Sequence, residues 1–480
     1  MKKLIPILLS AVLLIPQGIF AQGAVGVDTG IQNDISYQEV VFVTGKPVLL
    51  TGTVKVTEKE KNGQRTEKYT YKLENAGSKA KMTRTASFIT TLYPDSGQTR
   101  EVTELESFKE SIDIDGKKFE TDDEVSKMTK SQVTHQKPAV DYFAGDYKIR
   151  KVYDVDKGKG EMVVDVMGNS VGYEQYWGAT ETRTIQAYVD TQAKPGQTLD
   201  KSLKINGTYE VKLSYNRTRD IDYMSNQPNQ ISFRGGYMMN SKEDSVLEYS
   251  YDLNNKTGRG SFNLKSNPKY ERLLIPELRD ISGHWAENDI KMLASLKAFQ
   301  PNKSFFGPNL PIKRSEFAQA VATVCDIVVE EQPKTRTSRK KQEDPSIYAD
   351  LPKADQSYKY VKSVTDKGIM FGVGEDQFDP EGTLDRAQAV SIIIRALGFE
   401  GLAPIQRYST GFRDEMDIPY WAKDSVYVAN ELGLVTGTEN GYFQPEKSVT
   451  RAEAAKMLST LVNYLRKDLK EDYRERILNY

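Results

Sequence analysis

The sequence predicts a multidomain protein in which an N-terminal antiparallel all-β domain precedes a C-terminal all-α module of three repeats. Between residues 36 and 265, short runs alternate apolar and polar side chains, which is the period of strands. After residue 276 the apolar spacing becomes that of helices. Because no helical segments alternate with the strands, a parallel α/β core is not expected.

The first segment has the pattern of an export signal. Lys2 and Lys3 precede the apolar run Leu4–Phe20, and Ala21 offers a small residue for cleavage. This run is too short to span a bilayer comfortably, so we predict a secretory signal peptide over residues 1–21 rather than an N-terminal anchor. No later stretch approaches the apolar length of a membrane helix, so surface attachment is expected to come from a domain.

Composition disfavours several functional classes. The chain has 66 basic and 67 acidic residues, so no overall field favours nucleic acid or an anionic membrane. Cys325 is the only cysteine and lies in an apolar run, which predicts a buried core residue. The two histidines, His135 and His284, are far apart in the chain, so we expect no His/Cys metal site and no cofactor.

Residues 22–275 are predicted to form the β domain. They are rich in Tyr, Thr and Val, and turn signals separate the alternating runs. These signals are Asn62–Gly63, Asp95–Gly97, Asp115–Gly116 and Asn206–Gly207. The pattern leaves the closure of the sheet undecided.

The C-terminal part repeats itself. An aspartate opens each unit and an arginine motif closes it, at Asp280 and Arg314, Asp350 and Arg386, and Asp414 and Arg451. In the second and third units a Gly-x-x-x-Gly turn begins 18 residues before the arginine, at Gly368 and Gly433. This agreement of residue type and spacing predicts an internal repeat.

The repeated motifs resemble those of the S-layer homology (SLH) family: an aromatic-x-Asp opening, a Trp-Ala pair, the Gly-x-x-x-Gly turn, Phe-x-Pro and Thr-Arg-Ala-Glu. The resemblance implies repeats at residues 276–330, 347–400 and 401–466 that pack as a pseudo-threefold helical trimer. Their grooves would bind secondary cell-wall polymers, often carrying pyruvate ketals, on peptidoglycan of the Gram-positive type.

Two further segments belong to this part of the chain, one between the first and second repeats and one after the third. Residues 331–346 have a basic, apolar-free composition that predicts a flexible linker, with a supplementary contact to anionic wall polymer as the alternative. Residues 467–480 are predicted to form a charged helix or tail.

The arginine motif has the pattern of a helix start. Thr450 and Glu453 match a capping box, and Asp385 with Gln388 keep the same pattern in the second repeat. The arginine therefore falls on the first helical position, where a cation opposes the helix dipole at a cost of about 0.3–1 kcal/mol. A bound carboxylate, such as a pyruvate ketal, would use the guanidinium donors and the free backbone N–H groups together.

The resemblance and this argument assign the following residues to polysaccharide binding: Asp280, Trp285, Arg314, Ser315, Asp350, Arg386, Asp414, Trp421, Thr450 and Arg451. The residue types also allow structural roles. An arginine can pair with a carboxylate of its own module, an aspartate can cap a helix, and a tryptophan can anchor the core. His284 is expected to be a structural neighbour of Trp285.

The repeats are not equivalent. Trp421 lies 30 residues before the arginine of its repeat, and the corresponding position of the second repeat is Gln356. The second groove is therefore expected to lack its aromatic platform unless Tyr358 or Tyr360 replaces it. In the first repeat Lys313 takes the place of the N-cap threonine. We predict unequal sites, with the motif of the third repeat the most intact.

Three motifs of the β region suggest catalytic or binding roles that we consider weaker than structural ones. Gly168–Gly172 matches the G-x-S-x-G elbow of hydrolases, but its β-rich context favours a Gly-rich hairpin turn. Asp154–Gly160 lacks the ligands of a calcium loop and is also predicted to be a hairpin turn. Trp177 and its neighbouring tyrosines are predicted to pack on an exposed strand, with a sugar or peptide platform as the alternative.

The sequence thus predicts an exported, non-enzymatic protein of the bacterial cell wall or S-layer. Its expected partner is an anionic secondary cell-wall polysaccharide, with self-association in a surface layer as an additional contact. Nucleic acid and a membrane span after signal cleavage are not expected. The alternative is a wall-anchored glycoside hydrolase with two catalytic carboxylates in the β domain.

Overall fold

The computed structural model of the protein describes residues 29–33, 36–121, 125–225, 235–300, 304–327 and 345–473. The predicted signal peptide and most of the predicted linker lie outside these residues. Within the described residues, strands make up the N-terminal part and helices lie in the C-terminal part, as predicted.

The strands of the N-terminal part form a single antiparallel sheet of fifteen strands, counted over the described residues. Their bounds are β1 Gly30–Gln32, β2 Tyr37–Val41, β3 Val48–Lys61, β4 Gln64–Asn75, β5 Ala80–Asp95, β6 Gln98–Ile114, β7 Lys117–Thr121, β8 Lys127–Gln136, β9 Asp141–Val155, β10 Gly160–Gln175, β11 Gly178–Ala193, β12 Asn206–Met224, β13 Gly236–Leu253, β14 Lys256–Lys265 and β15 Lys269–Leu274. Consecutive strands are mostly neighbours in the sheet. Two pairs share a neighbour: β7 and β8 both lie between β6 and β9, and β14 and β15 both pair with β13.

Three of the four predicted turn signals join consecutive strands. Asn62–Gly63 connects β3 to β4 with φ of 55° and 72°, values that suit Asn and Gly. Asp95–Gly97 and Asp115–Gly116 connect the next hairpins. The prediction for Asn206–Gly207 is wrong, because these residues open β12. Glycine is needed there because a Cβ on Gly207 would lie 2.1 Å from the carbonyl oxygen of Asp252 on β13.

The two other glycine-containing motifs have different outcomes. Asp154–Gly160 forms the β9–β10 hairpin, as predicted. Gly168–Gly172 is not a turn but lies in the middle of β10. Its glycines make room for rings of β9, because a Cβ on Gly168 would lie 2.2 Å from the Tyr147 ring. The motif therefore also lacks the strand-to-helix turn of a hydrolase elbow.

The sheet curls around its own apolar core. Side chains from β2 through β13 belong to one buried cluster. The ring of Phe42, which follows β2, stacks on Tyr209 of β12 with centroids 4.2 Å apart. Because a flat sheet would keep these two strands far apart, the contact requires a strongly curved sheet.

A fully buried ionic centre lies in this core. The guanidinium of Arg84 donates two hydrogen bonds to Glu39, at 2.9 and 2.7 Å, and a third to Glu110. The hydroxyl of Tyr153 donates to Glu110, and the Lys151 ammonium lies 3.5 Å from the same carboxylate. Burial opposes ionisation of Glu110, but Arg84 and Lys151 outweigh it, so the pKa of Glu110 is lowered.

Each of the three repeats contributes two helices to the C-terminal part, and an extension follows the third repeat. Their bounds are α1 Glu287–Ser295, α2 Arg314–Val324, α3 Tyr358–Asp366, α4 Arg386–Leu397, α5 Tyr420–Glu431, α6 Arg451–Asn463 and α7 Leu469–Asp472, with a π-helical stretch at Tyr464–Asp468. The second helix of each repeat packs on the first helix of another repeat: α2 on α3, α4 on α5 and α6 on α1.

Two predictions about buried residues have opposite outcomes. Cys325 lies in the core, as predicted, and burial raises the pKa of its thiol to about 12. Trp177 is only 1% exposed, so the predicted packing on an exposed strand is wrong. Its indole lies between the β domain and the helical module and donates a 2.8 Å hydrogen bond to the carbonyl oxygen of Val324. An indole enclosed in this way offers no face to a sugar or peptide.

Candidate functional site

The arginine motifs begin helices, as predicted. Arg314, Arg386 and Arg451 are the first residues of α2, α4 and α6. In the second repeat Asp385 accepts the backbone N–H of Gln388 at 2.8 Å, and the Gln388 side chain accepts the N–H of Asp385.

The third repeat has the same capping box. The Thr450 hydroxyl accepts the backbone N–H of Glu453 at 3.2 Å, and the Glu453 carboxylate accepts the N–H of Thr450 at 2.9 Å. In the first repeat Lys313 makes no side-chain cap, and only the reciprocal bond from its N–H to Glu316 remains, at 3.3 Å. The capping boxes of the second and third repeats fix Arg386 and Arg451 at the starts of their helices.

Each arginine reaches into another repeat. The guanidinium of Arg314 lies 4.9 Å from the ring of Phe378 in the second repeat. That of Arg386 lies 5.2 Å from Phe443 in the third, and that of Arg451 lies 4.7 Å from Phe306 in the first. The phenylalanines belong to the Phe-x-Pro motif or its counterpart, so the two repeated motifs recognise one another across repeats.

Backbone contacts follow the same order. The N–H of Arg314 donates to Gly382 of the second repeat at 2.8 Å. The N–H of Arg386 donates to Lys447 of the third repeat at 3.1 Å. The N–H of Arg451 donates to Leu310 of the first repeat at 2.8 Å.

A groove of about 380 Å³ opens beside Arg386. All three repeats contribute to it: Trp285 from the first, Arg386 from the second, and the turn Gly433–Gly437 with one face of α6 from the third. The indole of Trp285 is 64% exposed, so it is available as a platform and is not a core anchor. Lys447 and Lys456 add positive charge to the rim.

The guanidinium of Arg386 keeps hydrogen-bonding capacity for a ligand. Its Nη2 donates to the carbonyl oxygen of Thr436 at 2.5 Å, whereas its Nε is buried and has no partner among the described residues. Burial lowers the pKa of Arg386, and Glu453 and Asp414 offset part of that effect. Because the side chain as a whole is only half-buried, its Nη groups can still donate to an acceptor supplied from outside.

The other two arginines have different partners within the module, although the Nε of Arg451, like that of Arg386, is buried without a partner among the described residues. Arg314 is 6% exposed and donates to the carbonyl oxygens of Phe378 and Phe371 at 2.8 and 2.7 Å. Arg451 is 8% exposed and forms an ion pair with Glu316 of the first repeat. For Arg451 the structure therefore shows the alternative role, a pairing with a carboxylate of its own module.

The three aspartates hold loops in place. Asp280 accepts the backbone N–H groups of Phe306 and Gly307, Asp350 accepts those of Phe378 and Asp379, and Asp414 accepts those of Phe443 and Gln444, at 2.6–2.9 Å. Burial raises the pKa values of Asp280 and Asp350, but these donors outweigh it, so both pKa values are lowered. The aspartates therefore hold these loops through backbone N–H groups and do not cap helices.

The remaining predicted positions also differ between repeats. Trp421 is 51% exposed at the start of α5. Gln356 stands exposed where the second repeat would carry a tryptophan, and Tyr358 is buried, which leaves the half-buried Tyr360 as the nearest replacement. Ser315 donates its hydroxyl to the carbonyl oxygen of Pro380 at 2.7 Å.

His284 has the predicted structural place beside Trp285. Its Nδ1 accepts the backbone N–H of Ala286 at 3.2 Å, and its ring centroid is 5.4 Å from that of Trp285. Sequence reasoning did not identify Lys447, Lys456 or Thr436 as groove residues. Thr436 lies inside the repeated Gly-x-x-x-Gly turn, so its motif was visible, whereas the two lysines had no repeated signal.

The described residues contain no cluster of three or more His, Cys, Asp or Glu side chains arranged to hold a metal ion. Within the same residues, no helix has both the length and the apolar character needed to cross a bilayer.

An exposed indole and a guanidinium at a helix start thus line one groove between interlocking repeats. A family model for the S-layer homology domain matches residues 277–318, 347–390 and 411–455. The chain therefore contains three S-layer homology domains, as predicted.

Relatives with known names share part of the chain. It is 30% identical to the S-layer protein EA1 of Bacillus anthracis over 197 residues, which are 40% of this chain and 21% of that protein. It is 29% identical to an S-layer protein of Bacillus licheniformis over 182 residues, 37% of this chain and 19% of that one. An endoglucanase of Bacillus sp. (strain KSM-635) is 32% identical over 130 residues, 27% of this chain and 13% of the enzyme.

The chain thus spans about a fifth or less of the length of these relatives. The S-layer homology domains and the S-layer relatives together indicate a secreted protein that is bound to the cell wall.

Proposed function

We propose that the protein is anchored to the wall by an anionic, pyruvylated secondary polysaccharide that binds in the groove between Trp285 and Arg386. The observation that carries this proposal is that an exposed indole and a half-buried, incompletely bonded guanidinium line one groove. The indole offers a flat apolar face to a sugar ring, and the guanidinium offers forked donors to a carboxylate.

The module has the arrangement of a pseudo-threefold helical trimer in this proposal. The closed order in which each arginine enters another repeat supports it, as does the packing of α2 on α3, α4 on α5 and α6 on α1. We expect the three repeats to bind unequally, because Arg386 shares a groove with Trp285 whereas Arg451 is paired with Glu316.

The β domain is displayed from the wall without an enzymatic role, as a structural or ligand-binding element that can take part in a surface layer. The buried carboxylates Glu39 and Glu110 support this reading, because both are consumed in the Arg84 ion pairs of the core. The endoglucanase relative matches over 130 residues only, so its activity is not transferred to the β domain.

The test is sedimentation of the full-length protein with purified cell-wall sacculi before and after chemical removal of the non-peptidoglycan polymer. We expect retention on intact sacculi and loss of retention after the polymer is removed. Competition by a pyruvylated oligosaccharide, and no competition by its de-pyruvylated counterpart, would identify the acidic group. Equal retention on stripped sacculi would show that peptidoglycan itself is the receptor and would overturn the proposal.

A further inference from the structure

The β domain contacts the C-terminal ends of two of the helices whose first residues are the arginines. The indole N–H of Trp177 donates to the carbonyl oxygen of Val324, the last residue of α2, at 2.8 Å. The backbone N–H of Ala139 donates to the carbonyl oxygen of Ala396, next to the end of α4, at 2.9 Å. Because the last carbonyls of a helix lack intrahelical partners, these donors act as caps supplied by another domain.

The third arginine helix also leads to a contact with the β domain. The side-chain amide of Gln175 donates to the carbonyl oxygen of Leu465 at 2.7 Å, just beyond the end of α6. Leu465 lies in the π-helical stretch that continues α6 into α7, so this contact lies along the helix and not at its end. The ends of α2 and α4 and the continuation of α6 thus contact the same domain.

A C-terminal segment beyond the matched repeats strengthens this contact. The hydroxyl of Tyr473 is buried and donates to the carbonyl oxygen of Gly172 on β10 at 3.0 Å. Its ring packs on Tyr142 and Tyr173, with centroids 5.7 and 5.0 Å apart. Arg466 reaches Asp220 of β12 at 3.1 Å with a nearly buried guanidinium.

A glycine at the end of α4 also fits the β domain. Gly398 ends α4 in the left-handed conformation, with φ of 71°. A Cβ at this position would lie 2.5 Å from the side chain of Lys137, which packs over it. The interface is therefore close-packed as well as hydrogen-bonded.

We infer that the β domain and the wall-binding module form one cooperative folding unit, in which the β domain caps the C-terminal ends of α2 and α4 and contacts the helical segment that continues α6. Residues 464–473 act as a clasp between the two. Polymer bound at the helix N-termini therefore stabilises the β domain at the other end. This last step rests on the proposed function.

The linkage follows from the geometry. Helix α6 has thirteen residues and is about 20 Å long. One of its faces lines the groove, and the helical segment that follows it contacts the β domain. A ligand that binds only the folded module stabilises everything that unfolds together with it. A β domain on a loose tether would gain nothing from the polymer.

The experiment is differential scanning calorimetry of the full-length protein, first without polymer. We expect a single unfolding transition for the wild type and two transitions for the double variant Trp177→Ala/Tyr473→Ala. The matched control is Tyr270→Ala, which removes a tyrosine that is 66% exposed on β15 and should leave one transition. The single variant Tyr473→Phe should lower the midpoint only slightly, by about 1–3 °C, because it removes one hydrogen bond.

Two separate transitions in the wild type would show that the domains fold independently, and a single unchanged transition in the double variant would show that Trp177 and Tyr473 do not couple them. Either result would overturn the inference. Addition of purified wall polymer then tests the linkage. The midpoint temperature of the single wild-type transition should rise, whereas in the double variant only the midpoint of the helical module should rise. If the polymer shifts no transition in any variant, the proposed function fails, while the polymer-free scans still decide whether the domains are one unit.

Discussion

Trp285 and Arg386 line one groove although they belong to different repeats. Trp285 belongs to the Trp-Ala motif of the first repeat, and Arg386 belongs to the arginine motif of the second. Trp285 therefore complements the arginine of another repeat and not that of its own. The binding unit of the module is therefore the junction between repeats.

Removal of either residue should weaken binding to the wall. Loss of a charge-assisted hydrogen bond from Arg386→Ala costs about 1.5–3 kcal/mol, which corresponds to roughly 10- to 100-fold weaker retention on sacculi. Trp285→Ala should give a loss of similar direction, and Arg386→Lys should rescue only part because its ammonium lacks the planar fork. Circular dichroism of each variant should match the wild type.

The matched control for this comparison is Trp421→Ala. Trp421 is also exposed, but it is not one of the described residues that line the groove of Arg386. We expect a smaller loss of retention. If Trp421→Ala and Trp285→Ala weaken retention equally, the groove of Arg386 is not the principal site.

Arg451 should affect stability more than binding. Its guanidinium is nearly buried and is paired with Glu316, so Arg451→Ala leaves a carboxylate without its partner. Because Glu316 is partly exposed, we expect a smaller loss than for a fully buried ion pair, about 1–3 kcal/mol in the free energy of unfolding by urea. Arg386→Ala should change this free energy much less. A stable Arg451→Ala protein that no longer binds sacculi would reverse the assignment.

The loop aspartates predict a dependence of stability on acid. The pKa values of Asp280 and Asp350 are lowered in the folded protein, so their carboxylates contribute stability that is fully present above the unfolded pKa of about 3.9. This contribution is lost as the pH falls through the lower, folded pKa. Urea unfolding of the wild type and Asp350→Asn should differ at pH 7 and converge as the solution becomes acidic. A difference that is independent of pH would contradict the charge-assisted role.

The ionic centre of the β domain should not tolerate the loss of its cation. Arg84→Met leaves Glu39 and Glu110 buried without their guanidinium partner, and breaking a buried ion pair in this way costs about 3–5 kcal/mol. The triple variant Arg84→Met/Glu39→Gln/Glu110→Gln should recover part of the loss, because the two carboxylates that Arg84 neutralised are then uncharged. Urea unfolding curves measure both effects. Equal destabilisation of the single and triple variants would mean that packing, and not charge, decides the stability of the centre.

Local patterns were enough to predict much of this architecture. Alternating side chains predicted the antiparallel strands, and the capping boxes at Thr450 and Asp385 predicted the starts of α6 and α4. Such features depend on residues within a few positions of each other, so a single sequence reveals them. The glycines of β10 misled the prediction because their reason is a ring on a neighbouring strand.

The burial of Trp177 could not be predicted for a related reason. Its partner is the carbonyl oxygen of Val324, which lies 147 positions later in another domain. An aromatic cluster next to a turn has the same local pattern whether it faces water or a second domain. Only the position of that second domain distinguishes the two cases.

The sequence by itself determined the class of each part, the three repeats and the placement of an arginine at the first residue of each repeat's second helix, because propensity, capping and periodicity act locally. The tertiary structure decided which arginine meets which aromatic ring, that Arg451 pairs with Glu316 while Arg386 shares a groove with Trp285, and that the β domain contacts the far ends of α2 and α4 and the continuation of α6. These outcomes depend on contacts between residues that are distant in the chain, and such contacts are set by how complete elements pack together.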